Sequence, residues 1–372
     1  MARIDLAYPG ATVPFDGIGD HTARLARALR ERGHEVRVLG RGGSTADGYV
    51  DAWGARPVRR LDGLVEAVAA APPQLLVLQL EHFAYGARGF SPGLLTLARR
   101  IRRAAPDAGL VVFAHETYVP PAGLRHTVMW SYQRAQLAAL ARGADHVLTN
   151  NAVGLARIGA LTEALTLVPV PSNLPRASAT RAQARAALGL ETDALLAVVF
   201  GHLDPGRVAY LESALAAARA EAPLELLYVG KDEDAARGLA THAGVPAHLR
   251  IGLPPEHAAL ALRAGDLALS PFSDGASGRR GSLAACLDHG LATVTNTGEG
   301  TDAFLHAAAQ AGALRLTDPD PAAYADAAVA LAVDASERAA MERVLATGDV
   351  PLASWEATAE AVEAHLPRTV AA

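Results

Sequence analysis

Residues 15–22, with the sequence Phe-Asp-Gly-Ile-Gly-Asp-His-Thr, decide the fold through what stands on either side of them. The apolar run Ile4–Tyr8 precedes this glycine-containing stretch and predicts a buried strand, and the run Val36–Leu39 predicts a second one. Between them, Leu25 and Leu29 are spaced as on one face of a helix. Strand, glycine turn, helix and strand in this order predict a right-handed βαβ unit in a parallel sheet.

Short apolar runs alternate with alanine-rich helical segments along nearly the whole chain, and most are apolar at every position. Such runs are typical of strands covered by helices on both faces. Six strands are predicted in the first half: Ile4–Tyr8, Val36–Leu39, Leu75–Leu80, Leu110–Ala114, His146–Thr149 and Leu165–Val170. Six more are predicted in the second half: Leu195–Phe200, Leu224–Val229, Leu249–Gly252, Leu267–Pro271, Ala292–Thr295 and Leu314–Thr317. The pattern predicts an α/β protein with two doubly wound parallel-sheet domains.

The length of 372 residues fits two domains of ordinary size. The turn Pro171–Pro175, bracketed by two prolines, is the best boundary, and a polar helix over Arg181–Leu188 follows it. We therefore predict domains at 1–175 and 176–352. Residues 353–372, with a helix over Ala353–His365, are expected to pack back toward the first domain.

Composition and charge narrow the class of protein. Apolar residues make up 51% and charged residues 20% of the chain, as in ordinary globular proteins. The formal net charge of -5 argues against a surface built to hold nucleic acid. Cys286 is the only cysteine, so no internal disulfide can form, and a reducing cytoplasm is expected. The start of the chain does not resemble a signal peptide, and no apolar run is long enough for a membrane span.

A basic patch lies on a predicted helix and contains Arg99, Arg100, Arg102 and Arg103. The usual interpretation of such a patch is a solvated face. Association with a membrane surface is the less favoured alternative. The sequence does not indicate an oligomeric state.

In doubly wound sheets, ligands bind beyond the carboxyl ends of the strands, so residues that follow each strand are candidates. After the first strand, Gly17 and Gly19 would let backbone N–H groups approach an anion, with a plain tight turn as the alternative. His115 and Glu116 follow the fourth predicted strand, where an imidazole could hydrogen-bond a hydroxyl or move a proton. The alternative is a structural histidine. Polar residues after the third strand could line an acceptor pocket or be solvated: Gln79, Glu81 and His82.

Two segments of the second half combine glycine with positive charge. Gly201 follows a strand, and Arg207 stands at the start of the next helix, which suits a diphosphate unless the arginine is simply solvated. The loop 270–282 is richer, with three glycines, four serines and two arginines before a helix expected at Leu283–His289. Its side chains could bind oxyanions, and Asp274 could accept hydrogen bonds from sugar hydroxyls. A surface loop without a ligand is the alternative.

Several other chemistries have no support in the sequence. The chain contains no GxSxG nucleophile turn and no GxxxxGK[ST] phosphate loop. Its 13 histidines include no HExxH motif, and none has a nearby cysteine partner. We therefore expect neither a metal site nor a bound cofactor.

The stretch from Gly17 through Leu29, followed by Gly33–Leu39, resembles the opening of the family-four retaining glycosyltransferases. The resemblance extends over almost the whole chain, and it implies the GT-B architecture, in which two Rossmann-like domains face a cleft. It also implies a metal-independent transfer of a sugar from a nucleotide diphosphate sugar to an acceptor hydroxyl. The nucleotide sugar is therefore expected to be a substrate rather than a cofactor, and the activity that the resemblance implies is that of a retaining hexosyltransferase.

The resemblance also implies roles for individual residues. His115, Asp274 and Arg207 would be catalytic, with His115 holding the transferring sugar. The expected donor-binding residues are Gly17, Gly19, Gly201, His202, Arg207, Leu253, Gly278, Arg279, Arg280, Gly281 and Ser282. The expected acceptor-binding residues are Asp20, Gln79, Glu81, His82 and Glu116.

The chain departs from the family pattern in the loop around Asp274. Relatives carry two glutamates separated by seven residues, and Asp274 stands in place of the first one. The second position falls on Ser282 or Ala285, depending on the alignment, and neither residue is acidic. Two alternatives therefore remain beside transfer: a GT-B protein that has lost catalysis and only binds, and an epimerase or phosphorylase of the same architecture.

Overall fold

A computed structural model describes residues 1–13, 16–350 and 352–367. The chain divides into two compact units. Unit 1 consists of Met1–Val170 with Ser354–Ala372, and unit 2 consists of Pro171–Ala353. The chain thus passes into unit 2 slightly before the predicted boundary and returns to unit 1 for its last segment.

The described part of unit 1 contains a seven-stranded sheet in the order β3-β2-β1-β4-β5-β6-β7, with every neighbouring pair parallel. Strands β4 and β5 lie near its centre and are buried at every position. The strands are β1 Arg3–Ala7, β2 Glu35–Gly40, β3 Tyr49–Asp51, β4 Leu75–Leu80, β5 Gly109–Ala114, β6 His146–Thr149 and β7 Leu165–Leu167.

Helices connect these strands on both faces of the sheet, as parallel crossovers require. They are α1 Gly17–Glu31, α2 Asp62–Ala70, α3 His82–Tyr85, α4 Leu97–Ala104, α5 Gly123–Gly143 and α6 Ala152–Gly159. Three short 3-10 segments lie at Val58–Arg60, Ala87–Gly89 and Pro92–Leu95. At the carboxyl ends of the strands, β1 is therefore followed by α1, β4 by α3, and β5 by the segment that precedes α5.

The described part of unit 2 contains a second parallel sheet of six strands in the order β10-β9-β8-β11-β12-β13. The strands are β8 Leu195–Phe200, β9 Leu224–Gly230, β10 Ala247–Ile251, β11 Leu267–Leu269, β12 Ala292–Asn296 and β13 Arg315–Thr317. The helices are α7 Arg181–Ala187, α8 Pro205–Glu221, α9 Glu233–Ala243, α10 Pro255–Ala264, α11 Gly281–Asp288, α12 Ala303–Gln310, α13 Pro321–Val333 and α14 Ala335–Thr347.

The last helix, α15 Trp355–Glu363, belongs to unit 1 and packs on α1. Ala359 and Val362 are fully buried in the same apolar cluster as Leu25 and Leu29 of α1. At the end of α15, both oxygens of the Glu363 carboxylate accept hydrogen bonds from the Arg32 guanidinium, at 2.6 and 2.7 Å. Apolar packing and this ion pair together hold the helix on unit 1.

The fold is α/β with two parallel sheets, as the sequence predicts, but the first sheet has one strand more than the expected six. Strand β3 was not predicted because it is short and none of its residues is fully buried. It pairs with β2 at the edge of the sheet. No helix in the described ranges combines the length and hydropathy needed to cross a membrane.

Candidate functional site

The carboxyl ends of β8 and β11 bring several predicted donor residues together in unit 2. Gly201 directly follows β8 and has a φ of +95°, a region in which residues with a side chain are strained. A Cβ at this position would lie 3.3 Å from Cβ of Ser282 and 3.8 Å from Nη1 of Arg207. The turn after β8 therefore lies directly against the start of α11, 80 residues later in the sequence.

Arg207 is 3% exposed and lies in the first turn of α8, whose N-cap is the side chain of Asp204. Its guanidinium donates hydrogen bonds to the backbone carbonyls of Pro271, at 2.8 Å, Phe200, at 3.4 Å, and His202. Burial lowers the pKa of Arg207. The arginine thus joins the turn after β8 to the loop after β11, which is a structural function that the sequence did not reveal.

Three charged side chains of the 270–282 loop form one cluster. The two oxygens of the half-exposed Asp274 carboxylate accept hydrogen bonds from Arg279 and Arg280. The guanidinium of Arg280 lies 4.5 Å from the centre of the Phe272 ring, and that of Arg207 lies 5.2 Å from the same ring. Two arginines therefore share one aromatic partner at this edge of the sheet.

The loop that carries this cluster is fixed by close backbone approach. Gly275 has a φ of +87°, and a Cβ there would lie 2.3 Å from the backbone nitrogen of Gly298 in the loop after β12. The backbone N–H of Gly278 donates to the Asp302 carboxylate at 2.6 Å. Glycine is therefore required at 275 for steric as well as conformational reasons.

Helix α11 begins at Gly281, two residues earlier than expected, so Gly281 and Ser282 lie in its first turn. In the described structure no side chain caps this N-terminus. Partial positive charge and N–H groups at such an end favour an anion, and the adjacent Arg280 has the matching sign.

The remaining donor candidates lie at the ends of the neighbouring strands. His202 is largely exposed, and its Nδ1 lies 2.9 Å from the Asp232 carboxylate. Burial tends to raise the pKa of Asp232, but hydrogen bonds from the Leu203 N–H and His202 hold it below its usual value. Leu253 follows β10 and packs partly buried against the core below α10.

In unit 1, His115 follows β5 as expected, but it is only 5% exposed and does not project into solvent. Its Nε2 lies 2.6 Å from Oε1 of Gln79, and its Nδ1 lies 3.5 Å from Nδ2 of Asn150. Burial lowers the pKa of His115 to about 3. A neutral ring that donates from Nε2 and accepts at Nδ1 satisfies both contacts, so this histidine is not protonated near neutral pH.

A second histidine, His21 of α1, packs against His115. Their ring centres are 4.7 Å apart, and the His21 ring also contacts Phe113, at 4.9 Å, and Trp355 of α15, at 5.0 Å. Neither ring nitrogen of His21 has a hydrogen-bond partner among the described residues. Burial, together with the nearby His115, lowers its pKa well below the usual value.

The predicted acceptor residues at the carboxyl end of β4 are more buried than expected. Gln79 is fully buried and His82 is 2% exposed. Burial lowers the pKa of His82 to about 4, and its Nδ1 lies 3.2 Å from Nε2 of Gln136. Glu81 caps α3 by accepting from the N–H groups of Phe83 and Ala84, and burial raises its pKa. An exposed carboxylate remains at Glu116.

The predicted glycine turn, with Gly17 and Gly19, forms the first turn of α1, and the side chain of Asp16 caps this helix start. The Asp16 carboxylate accepts from the backbone N–H groups of Ile18 and Gly19, both at 2.9 Å, and from the Tyr8 hydroxyl. Gly19 is buried against the backbone of Gly10. Gly17 and Asp20 are exposed at the start of the helix. The N-terminal donors that were predicted to receive an anion are thus partly used within the chain.

The structure therefore brings Gly201, Arg207, Arg280 and Ser282 together in unit 2, and Gln79 with His115 in unit 1. Sequence reasoning missed three polar or aromatic members of these clusters: His21, Asn150 and Phe272. Asn150 directly follows β6, so the strand-end rule could have found it. No comparable signal marks His21, whose partners are distant in sequence. Within the described ranges, no group of three or more His, Cys, Asp or Glu side chains could hold a metal ion.

Comparisons with known proteins agree with this architecture. Residues 15–153, most of the first part of unit 1, match the model of Glycosyltransferase Family 4. A search of curated proteins gives no significant match.

Among solved structures, sucrose-phosphate synthase from Thermosynechococcus elongatus has a TM-score of 0.71 at 15% identity, covering 98% of both chains. HepE from Anabaena, in complex with UDP and glucose, has a TM-score of 0.70 at 15% identity, covering 98% of this chain and 99% of that one. The UDP-GlcNAc 2-epimerase from Neisseria meningitidis bound to UDP-GlcNAc has a TM-score of 0.62 at 9% identity, with coverage of 98% and 99%. The fold is GT-B, and its first domain carries the glycosyltransferase family-four pattern.

Proposed function

We propose that the protein is a retaining, metal-independent glycosyltransferase that moves a hexose from a nucleotide diphosphate sugar to a hydroxyl of a small molecule, glycan or natural product. The observation that carries this proposal is the contact in unit 2 between Gly201 and the start of α11. Arg280 and Ser282 lie at that helix start, and no side chain caps it in the described structure. A diphosphate fits this place because backbone N–H groups, a helix N-terminus and a guanidinium all favour anionic oxygen.

Asp274 neutralises part of the positive charge of the two arginines that would contact that diphosphate. Its carboxylate is the partner of both Arg279 and Arg280. Donor binding exchanges at least one of these contacts for a phosphate oxygen, which leaves the Asp274 carboxylate available to a sugar hydroxyl. The exchange explains why an acidic side chain and two arginines share one loop.

The chemistry requires no protein nucleophile. The acceptor oxygen bonds to the anomeric carbon as the bond from that carbon to the diphosphate oxygen breaks, and the acceptor proton passes to the departing diphosphate. Arg280 and the start of α11 stabilise the negative charge that grows on the leaving group. Because His115 is neutral and buried, and its two ring nitrogens contact Gln79 and Asn150, its part in this proposal is to position the end of β5 rather than to shuttle a proton or to contact the sugar directly.

Calorimetric titration with UDP, GDP, ADP and dTDP, and with their sugar conjugates, tests the donor site. One preferred nucleotide, bound equally well with and without EDTA, is expected. Arg280→Gln should weaken its binding about tenfold, the usual size of a lost charge-assisted contact, whereas Arg343→Gln on the exposed face of α14 should not change it. Absence of nucleotide binding across the series would remove the proposal.

Asp274→Asn separates donor binding from transfer. Removing the carboxylate frees the two guanidinium groups, so nucleoside diphosphate should bind a few-fold more tightly while turnover falls. Unchanged binding and unchanged turnover together would contradict the assignment of this loop to the donor. Retention is read from the anomeric configuration of the product by NMR.

An epimerase is the second candidate, since UDP-GlcNAc 2-epimerases are among the solved structures that share the fold. Epimerisation of a sugar nucleotide needs no acceptor, whereas transfer does. Conversion of the donor to an epimer without acceptor would replace the transferase proposal, and donor binding with neither reaction would favour a binding protein. We place the activity in the cytoplasm, in keeping with the single buried cysteine.

A further inference from the structure

An exposed apolar stripe runs along the start of α5. Leu124 is 84% exposed and Val128 is 53% exposed, and their spacing of four residues puts them on one face of the helix. Tyr132 is one turn further on, and its ring centre is 5.2 Å from that of Phe90, itself 46% exposed. Every residue from 120 to 128 is exposed, so this end of α5 is not covered by the rest of the protein. We call these four side chains the α5 stripe.

Arginines flank the α5 stripe. The Tyr132 hydroxyl donates to the backbone carbonyl of Arg88 at 2.5 Å, which joins the 87–90 segment to the helix. Burial raises the pKa of Tyr132, and the guanidinium groups of Arg88 and Arg125 lie near enough to oppose that rise. Arg88 adopts a φ of +57°, unusual for a residue with a side chain, so the segment is held in a defined conformation beside the stripe.

The chain segments that carry and adjoin the α5 stripe are rich in arginine and poor in acid, with Glu81, Asp107 and Glu116 just outside them. Residues 82–106 and 117–144 include eight arginines and none of the 39 aspartates and glutamates of the chain. Arg100 and Arg102 are paired with acids from elsewhere, Asp62 and Asp145. A protein with a net charge of -5 thus presents one arginine-rich region around exposed leucine, valine and phenylalanine.

We propose that the α5 stripe docks unit 1 on an anionic lipid surface, with Leu124, Val128 and Phe90 entering the headgroup region and Arg88 and Arg125 contacting lipid phosphates. Binding of this kind combines burial of apolar side chains with attraction of arginines to anionic lipid. A second copy of the chain is disfavoured as the occupant because a symmetric contact would bring arginines against arginines. A nucleic acid is disfavoured because Leu124 and Val128, the two most exposed apolar side chains of the stripe, cannot stack on bases, although its aromatic members could.

Vesicle co-sedimentation of the full chain tests this proposal directly. Vesicles of phosphatidylcholine alone are compared with vesicles that contain about one third phosphatidylglycerol, at low and at high salt. We expect the protein to sediment with the anionic vesicles at low salt and to be released by high salt, since screening weakens the arginine contacts. Equal binding to both vesicle types, or to neither, would overturn the proposal.

Variants distinguish the α5 stripe from the rest of the surface. The double variant Leu124→Ser/Val128→Ser and the single variant Arg125→Glu should each lower the vesicle partition coefficient about tenfold. Their controls are Val333→Ser, an equally exposed valine in unit 2, and Arg343→Glu on α14; neither should change binding. All five positions are exposed, so thermal unfolding should be unchanged and report intact folding.

Three outcomes would contradict lipid docking. Retained vesicle binding in both stripe variants would place the contact elsewhere. Tighter binding to RNA or heparin than to vesicles, lost in Arg125→Glu but kept in the serine double variant, would indicate a polyanion. A concentration-dependent dimer abolished by the serine double variant, without vesicle binding, would indicate a self-interface. The measurement is independent of sugar transfer, so it stands or fails apart from the proposed function.

Discussion

At the scale of single residues, Arg207 is the clearest case in which one side chain has two possible roles, binding of the donor and stabilisation of the fold. Its position at the start of α8 suits a donor diphosphate, yet its guanidinium already donates to three backbone carbonyls and is 3% exposed. A buried cation in this arrangement stabilises the turn whether or not a ligand is bound. Loss of activity on substitution is therefore ambiguous unless folding is measured as well.

We expect Arg207→Ala to lower the free energy of unfolding by about 3 kcal/mol, because it leaves buried carbonyls without donors. Arg207→Lys should recover part of this loss, since an ammonium group can serve fewer of the three carbonyls at once. Urea unfolding followed by circular dichroism gives the stability, and nucleotide titration of the folded fraction gives the binding. Full stability with lost binding would assign Arg207 to the ligand alone.

His115 illustrates how far reasoning from the sequence reaches at a single position. Its place after β5 was predictable because an apolar run ends there. Its burial was not, because the His21 ring that packs against it comes from the first helix of unit 1, and Trp355 of the last helix packs on His21 in turn. In the same way, the carbonyl contacts of Arg207 join segments 64 residues apart, and no local pattern reports them. The end of a strand can be predicted from the local sequence, whereas the side chains that cover it come from distant segments and depend on packing.

At the scale of elements, the same distinction separates the strands that were predicted from the one that was missed. Central strands such as β4 are buried on both faces and read as unbroken apolar runs. Strand β3 lies at an edge, ends in Asp51 and gains its structure from pairing with β2 rather than from its own composition. Edge strands are therefore where propensity is weakest as a guide.

Helix α15 is the element whose contribution is most directly measurable. Val362 is fully buried between α15 and α1, so Val362→Ala should cost about 2 kcal/mol through lost burial and the space left behind. Val333→Ala, at an exposed end of α13, serves as the matched control and should change stability by less than about 0.5 kcal/mol. Equal effects at the two sites in urea unfolding would mean that α15 does not stabilise unit 1.

At the scale of the whole molecule, the histidines whose pKa is lowered by burial are distributed unevenly. Burial lowers the pKa of His21, His82, His115, His146 and His365, and all five belong to unit 1. The unfolded chain binds protons at these positions near pH 6.5, whereas the folded unit binds them only at lower pH. The unfolded state therefore carries more protons between these values, and the stability of unit 1 falls as the pH is lowered. Raised carboxyl pKa values at Asp5 and Glu81 act in the opposite direction, but only nearer the range in which carboxylates titrate.

Acid should consequently unfold unit 1 before unit 2, and the tryptophans allow this order to be observed. Trp53, Trp130 and Trp355 all lie in unit 1, so tryptophan fluorescence reports that unit while far-UV circular dichroism reports both. Between pH 7.5 and pH 5, we expect each fully buried histidine to remove about 2 kcal/mol from unit 1. As the pH is lowered, the midpoint of thermal unfolding seen by fluorescence should then move to lower temperature. The part of the dichroism change that comes from unit 2 should keep a higher midpoint. His115→Gln, which cannot be protonated, should make the fluorescence midpoint less sensitive to pH. A single transition that shifts equally for both probes would show instead that the two units unfold together.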